Sequence, residues 1–104
     1  MVLYVMKWDI LPDKLEAYKQ WTQSAIKRTL GVPGVVEFRG YRPATGTSQV
    51  VVTYEFANMG DWAAWRSNED LEKVMDELRA LAANVSTEVW GPSPIVPEPI
   101  RPGK

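Results

Sequence analysis

The chain has 104 residues, 24% of them charged, and its 12 basic and 13 acidic side chains leave a formal net charge of -1. That length suits one domain with a modest core, and the balanced charge offers no electrostatic footprint for nucleic acid or an anionic membrane. Cysteine and histidine are both absent, which removes disulfides, thiolate nucleophiles, zinc-thiolate sites, Ser-His-Asp triads and His-held haem or non-haem iron.

No metal or other cofactor is therefore expected. The acidic residues lie scattered or along helix faces, without the loop spacing of a calcium or magnesium site. No apolar run approaches the roughly 20 residues that span a bilayer. The opening "MVLYVMKWDI" lacks the flanks of a secretory signal, so the expected setting is soluble and cytoplasmic.

In chain order, residues 2–8, "VLYVMKW", are β-branched or aromatic enough for a strand and are apolar on both alternating faces. "DILPDKLEAYKQWTQSAIKRTL" places Leu15, Tyr18, Trp21, Ala25, Ile26 and Thr29 at helical spacing. Pro12 suits its first turn and Gly31 its C-terminal cap. "VVEFRGY" and "SQVVVTYEF" read as two strands joined by "RPATGT", an antiparallel hairpin. In the second of these, Val50, Val52, Tyr54 and Phe56 share one face, and Gln49, Val51, Thr53 and Glu55 the other.

Asp61 can cap a short helix, "WAAWR", and Ser67 with Asp70 has the form of a capping box opening a longer one. Leu71, Val74, Met75, Leu78, Leu81 and Ala82 make its buried stripe, and "NVSTEVW" is the fourth strand. The order strand, helix, strand, strand, helix, strand predicts an α+β, ferredoxin-like βαββαβ sandwich: a four-stranded antiparallel sheet with helices on one face. The domain covers residues 1–91. Residues 92–104, rich in proline, form an extended C-terminal arm.

One helical layer covers one face only, yet Leu3 and Val5 oppose Val2, Tyr4, Met6 and Trp8 on the first strand, and Val35, Tyr41, Val51 and Trp90 add apolar surface to the second face. An uncovered apolar face of this kind usually marks an interaction surface. A homodimer with sheets packed face to face is expected, and the arm, apolar at Ile95, Val96 and Ile100, is expected to lie against or beside the partner subunit.

Three stretches, "ILPDKLEAYKQW", "PGVVEFRGYR" and "VVTYEFANMGDWAAWRSNEDL", together resemble the antibiotic biosynthesis monooxygenase family over roughly residues 1–90. The resemblance implies a dimeric α/β barrel with a pocket between sheet and helices. Some members of that family oxidise phenols or quinols with O₂ and no bound cofactor, while related ones degrade haem through a His ligand that this chain lacks. It also implies catalytic roles for Asn58 and Trp62; beside them, Tyr18, Trp21, Tyr54 and Arg66 are expected to bind a small aromatic substrate.

In that scheme Trp62 stacks on the ring, Asn58 bonds its oxygen and Arg66 favours its anion. Packing alternatives stand beside each role. Asn58 can cap a helix, Trp21 and Trp65 can be core, Arg66 can face solvent or pair with a carboxylate, and the acidic run Glu69, Asp70, Glu72, Asp76, Glu77 reads as an exposed helix face. The competing function is a non-catalytic dimeric ligand-binding or accessory protein, and no general base is apparent.

Overall fold

The computed structural model of the protein describes residues 1–103; Lys104, the end of the expected arm, lies outside the described residues. Strand β1 (Val2–Ile10) leads through a proline-opened 3-10 turn (Pro12–Lys14) into helix α1 (Leu15–Gly31). Strands β2 (Val35–Tyr41) and β3 (Val50–Phe56) follow, then helices α2 (Met59–Arg66) and α3 (Glu69–Leu81) and strand β4 (Ala82–Trp90). The sheet has the order β2-β3-β1-β4 with every neighbouring pair antiparallel, the ferredoxin-like arrangement expected from the sequence.

Period-two alternation places the sheet residues. Tyr4, Met6 and Trp8 of β1 and Val52, Tyr54 and Phe56 of β3 are buried beneath the helices. The cross-strand pairs Tyr4–Tyr54 and Met6–Val52 put them side by side on that face. Trp65 closes the layer from above. It is fully buried, packs its ring on Tyr4, Tyr54 and Phe56, and donates from Nε1 to the Thr29 carbonyl at 3.0 Å. A single indole thus ties α2 to α1 and to two strands.

Several local expectations are corrected. Asn58, not Asp61, caps α2, its Oδ1 accepting from Asp61 N at 2.8 Å. Asn68, not Ser67, caps α3 through Asp70 N, while the Ser67 hydroxyl turns back to the Ala63 carbonyl. Gly31 is the last helical residue of α1 and takes no left-handed conformation; that falls to Gly34, at φ 124°, a region a side chain rarely adopts. Leu15, assigned to the α1 stripe, is exposed.

Val35 was expected on the second face but packs against the core. The β2-β3 register shifts between Val35 and Glu37, so Val36 bulges outward and Val35 stays opposite Phe56 on the helix side. Strand β4 also starts earlier than expected, directly after α3. Asn84, at φ 55°, accommodates its register shift, and Asn84 Nδ2 donates to Asp9 Oδ2 at 2.9 Å.

The sheet face away from the helices is uncovered in one chain. Leu3, Val51, Tyr41 and Trp90 lie there among Lys7, Glu37, Arg39, Thr53 and Glu55, while Val5 on the same face is already buried. Past Trp90 the chain runs without helix or strand as far as it is described, and Ile95 and Ile100 stand 88% and 81% exposed, far from core burial. No helix of the described residues is long and apolar enough to cross a membrane.

Candidate functional site

Two concavities flank the Trp65 core on the helix side of the sheet. An open groove of about 520 Å³ runs between α2, the start of α3 and β4, walled by Tyr4, Trp62, Arg66, Glu72, Thr87 and Val89. That volume falls in the range of small-molecule sites. Trp62 enters it because α2 turns its 62 and 66 positions, one helical turn apart, toward β1 and β4. Its ring tilts against Tyr4 at 5.7 Å.

The Arg66 guanidinium is held from two sides, donating from Nε to the Tyr4 hydroxyl at 3.3 Å and through an ion pair to Glu72 at 2.7 Å. Partial burial works against its charge, but the Tyr4 and Glu72 contacts outweigh that and hold its pKa above the ordinary value. Trp62 Nε1 is buried without a hydrogen-bond partner among the described residues. A buried donor left unpaired costs about 1–3 kcal/mol, and such groups are few in native proteins.

The second concavity is an inner cavity of about 60 Å³ between α1, α3 and the β1-β3 surface. Tyr18, Trp21 and Tyr54 line it with Trp8, Phe38 and Val74. Trp8 Nε1 donates to the Tyr18 hydroxyl at 3.2 Å, and the Tyr54 hydroxyl to Thr29 Oγ1 at 3.4 Å. Burial raises both phenols, Tyr54 to about 12, so neither serves as a base near neutral pH.

Of the six residues singled out in the sequence, then, Tyr18, Trp21 and Tyr54 meet around the inner cavity, and Trp62 and Arg66 meet in the outer groove. Asn58 is exposed, with its oxygen engaged at the start of α2. Tyr4 and Glu72 were not picked out, although Tyr4 lies on the helix-facing register of β1 and could have been found from that. Nor was Glu77 seen for what it is. Assigned to an exposed acidic face, it accepts from Trp21 Nε1 at 2.7 Å and pairs with both terminal nitrogens of Arg28 at 2.7 and 2.9 Å, clasping α1 to α3 over the rim of the cavity.

The Arg28 and Trp21 hydrogen bonds hold the Glu77 carboxyl below its ordinary pKa of 4.5. A carboxylate lowered in the folded state stabilises above its unfolded pKa and loses that contribution as pH falls through the folded one. The clasp should therefore be complete at neutral pH, begin to lose its contribution as pH falls below about 4.5, and fail once pH passes the lowered folded value. Glu77→Gln is expected to flatten the acid limb of a melting-temperature profile and to lower its neutral region by no more than about 4–8 °C, since a pair this exposed contributes about 1 kcal/mol or less. An acid limb identical to wild type would refute the assignment.

The family model for antibiotic biosynthesis monooxygenases matches residues 1–77. The chain belongs to that family. Solved structures of similar fold include SnoaB of Streptomyces nogalater, described as a cofactor-independent oxygenase, at 15% identity and TM-score 0.70, over 93% of this chain and 97% of that one. A ferredoxin-like dabb family protein of Mesorhizobium loti superposes at TM-score 0.76 and 16% identity, over 88% and 96% of the two chains. HapK of Hahella chejuensis does so at 0.72 and 15%, over 90% and 94%. At such identities these likenesses establish the family fold rather than a shared substrate. No curated protein sequence matches the chain.

Proposed function

We propose that this family member is a cofactor-independent monooxygenase acting on an aromatic phenol or quinol, with the outer groove as its substrate site. The observation that carries the reading is the wall shared by Trp62, with its buried and unpaired N–H, and Arg66, with its fixed guanidinium. A fused-ring phenolate would lie on the indole and turn its oxygen toward the guanidinium. Asn58 is a positioning residue in this scheme, setting where α2 begins and hence where Trp62 stands.

The phenolate itself supplies the electrons. It passes one to O₂, the resulting radical pair joins at a ring carbon as a hydroperoxide, and loss of water leaves a carbonyl there. A ring CH₂ and O₂ thus become C=O and H₂O, and no external reductant is required. Arg66 stabilises the anion from which the first electron leaves, and the groove's opening lets the phenol proton escape to water, so no histidine is needed.

Oxygen uptake on a panel of hydroquinones and anthrone-like phenols tests this. Arg66→Met should lower turnover by about 100-fold, as loss of one donor to a developing anion does. It should also move the rising limb of the pH profile to higher pH, because without the cation the bound phenol ionises less readily. Trp62→Phe should raise KM. Saturable binding of the same phenols with no oxygen uptake would sink the oxygenase reading and leave a ligand-binding or accessory protein.

We also propose that the working unit is a homodimer joined through the uncovered sheet face. The support is that Leu3, Val51 and Trp90 share that face with the Lys7–Glu88 and Arg39–Glu37 pairs, a mixed surface suited to a partner of the same composition. The arm beyond Gly91, with its exposed Ile95, Val96 and Ile100, lies along that partner.

A further inference from the structure

The inner cavity has no part in binding the aromatic ring. At about 60 Å³ it is far below the 300 Å³ or so at which ligand pockets of drug size begin. It is nevertheless larger than the 10–15 Å³ that one water needs, so its contents are decided by polarity rather than by room.

A buried water needs two to four polar partners. The polar atoms at this wall are already engaged with one another: Trp8 Nε1 with Tyr18, Tyr54 with Thr29, Thr29 with the Ile26 carbonyl, and Thr22 with the Tyr18 carbonyl. The remaining surface is methyl, thioether and aromatic, from Met6, Ala25, Phe38, Val74, Met75 and Leu78. Walls of this kind offer water few partners and favour a small apolar molecule.

The cavity also has a direction. Met6, Met75 and Leu78 wall it on one side and, on their other side, wall a smaller void of about 10 Å³ whose far boundary is Tyr4, Arg66 and Thr87. Those last three residues are part of the groove. The apolar cavity and this smaller void, whose lining is mixed with Arg66, Arg79 and Thr87, therefore follow one another beneath α3 from the clasped rim at Trp21 and Glu77 to the guanidinium at Arg66. The partitions between them are two flexible thioethers and a leucine, side chains that yield by rotamer change without backbone movement.

We propose that this cavity is a dioxygen site, holding O₂ in a dry store and delivering it along the Met6–Met75–Leu78 partition to the substrate in the groove. The proposal rests on the monooxygenase reading, whose chemistry consumes an apolar diatomic gas beside Arg66. It adds which part of the molecule supplies the gas. Dioxygen and xenon are both small and apolar, so xenon is the probe.

Two readouts test it on the full-length protein. Xenon titrated into the wild type should shift the methyl resonances of Met6 and Met75 saturably, and Ala25→Leu, which fills the cavity from α1, should abolish that shift. The same variant should raise KM for O₂ by about threefold or more, with kcat and the aromatic KM unchanged, the pattern of weakened binding of one reactant alone. Val52→Ile, a smaller filling, guards against misfolding of Ala25→Leu and should act in the same sense.

Turnover intact with no xenon response, or a filled cavity with unchanged KM for O₂, would overturn the dioxygen site and spare the oxygenase reading. No oxygen uptake on any phenol would overturn both, and xenon entry would then mark only a void.

Discussion

Trp65→Ala is expected to leave the chain largely unfolded at room temperature. The indole is fully buried against Tyr4, Tyr54 and Phe56 and supplies the hydrogen bond to the Thr29 carbonyl. Truncating such a residue costs about 3–5 kcal/mol, and the stranded acceptor adds to it. Domains of this size hold only about 5–15 kcal/mol in total, so the loss takes most of the margin of a small one. Trp65→Phe should retain part of the packing and fall between, its melting temperature lowered by about 4–8 °C for each kcal/mol lost. Urea denaturation followed by circular dichroism separates the three proteins, and a Trp65→Ala midpoint close to wild type would contradict the central place given to this side chain.

Val51→Asp is expected to convert the proposed dimer to monomer without unfolding the protomer. In one chain, position 51 lies between Lys7 of β1 and Tyr41 of β2 on the uncovered face, where a carboxylate has solvent and a cation beside it. In a face-to-face dimer two such charges would be desolvated, one per subunit, because a two-fold interface repeats each change. A rise of about 100-fold or more in the dissociation constant, equivalent to about 2.7 kcal/mol, is the minimum expected. Truncation after Gly91 should weaken the dimer more gently, by removing Ile95, Val96 and Ile100. Sedimentation measures both. A wild type that is monomeric at micromolar concentration would end the dimer proposal, and an unchanged dissociation constant after truncation, with rapid amide exchange along the intact tail, would return the arm to simple disorder.

The contrast between these two positions shows where sequence reading has power. Trp65 reads from the sequence as one of two core tryptophans, while Trp62, three residues earlier on the same helix, is set apart from it only by the family resemblance that pairs it with Asn58. Which of them is sealed and which lines a groove depends on the rotation of α2 about its axis. That rotation is set by contacts with Thr29, 36 positions away, and with strands on either side.

The candidate site divides in the same way. Tyr18, Trp21 and Tyr54 were expected to line one pocket with Asn58, Trp62 and Arg66. Met6, Met75 and Leu78 stand between them and make two concavities of one. Glu77 escaped notice because its partners, Trp21 and Arg28, are 56 and 49 residues distant. Its own helix presents it as one more acid on a polar face.

By itself the sequence determined the α+β class, the order of elements, the β3 alternation and the excess of apolar surface on the second sheet face. These follow from periods of two and of about 3.6 residues, which are properties of neighbours along the chain. The absence of His and Cys, also a property of the sequence alone, bounded the chemistry before any geometry was known. Only the tertiary structure decided the caps at Asn58 and Asn68, the bulge that returns Val35 to the core, the clasp over the inner cavity, and the meeting of Tyr4, Trp62 and Arg66. Each of these depends on which distant groups arrive beside a given side chain, and a local pattern cannot encode an arrival.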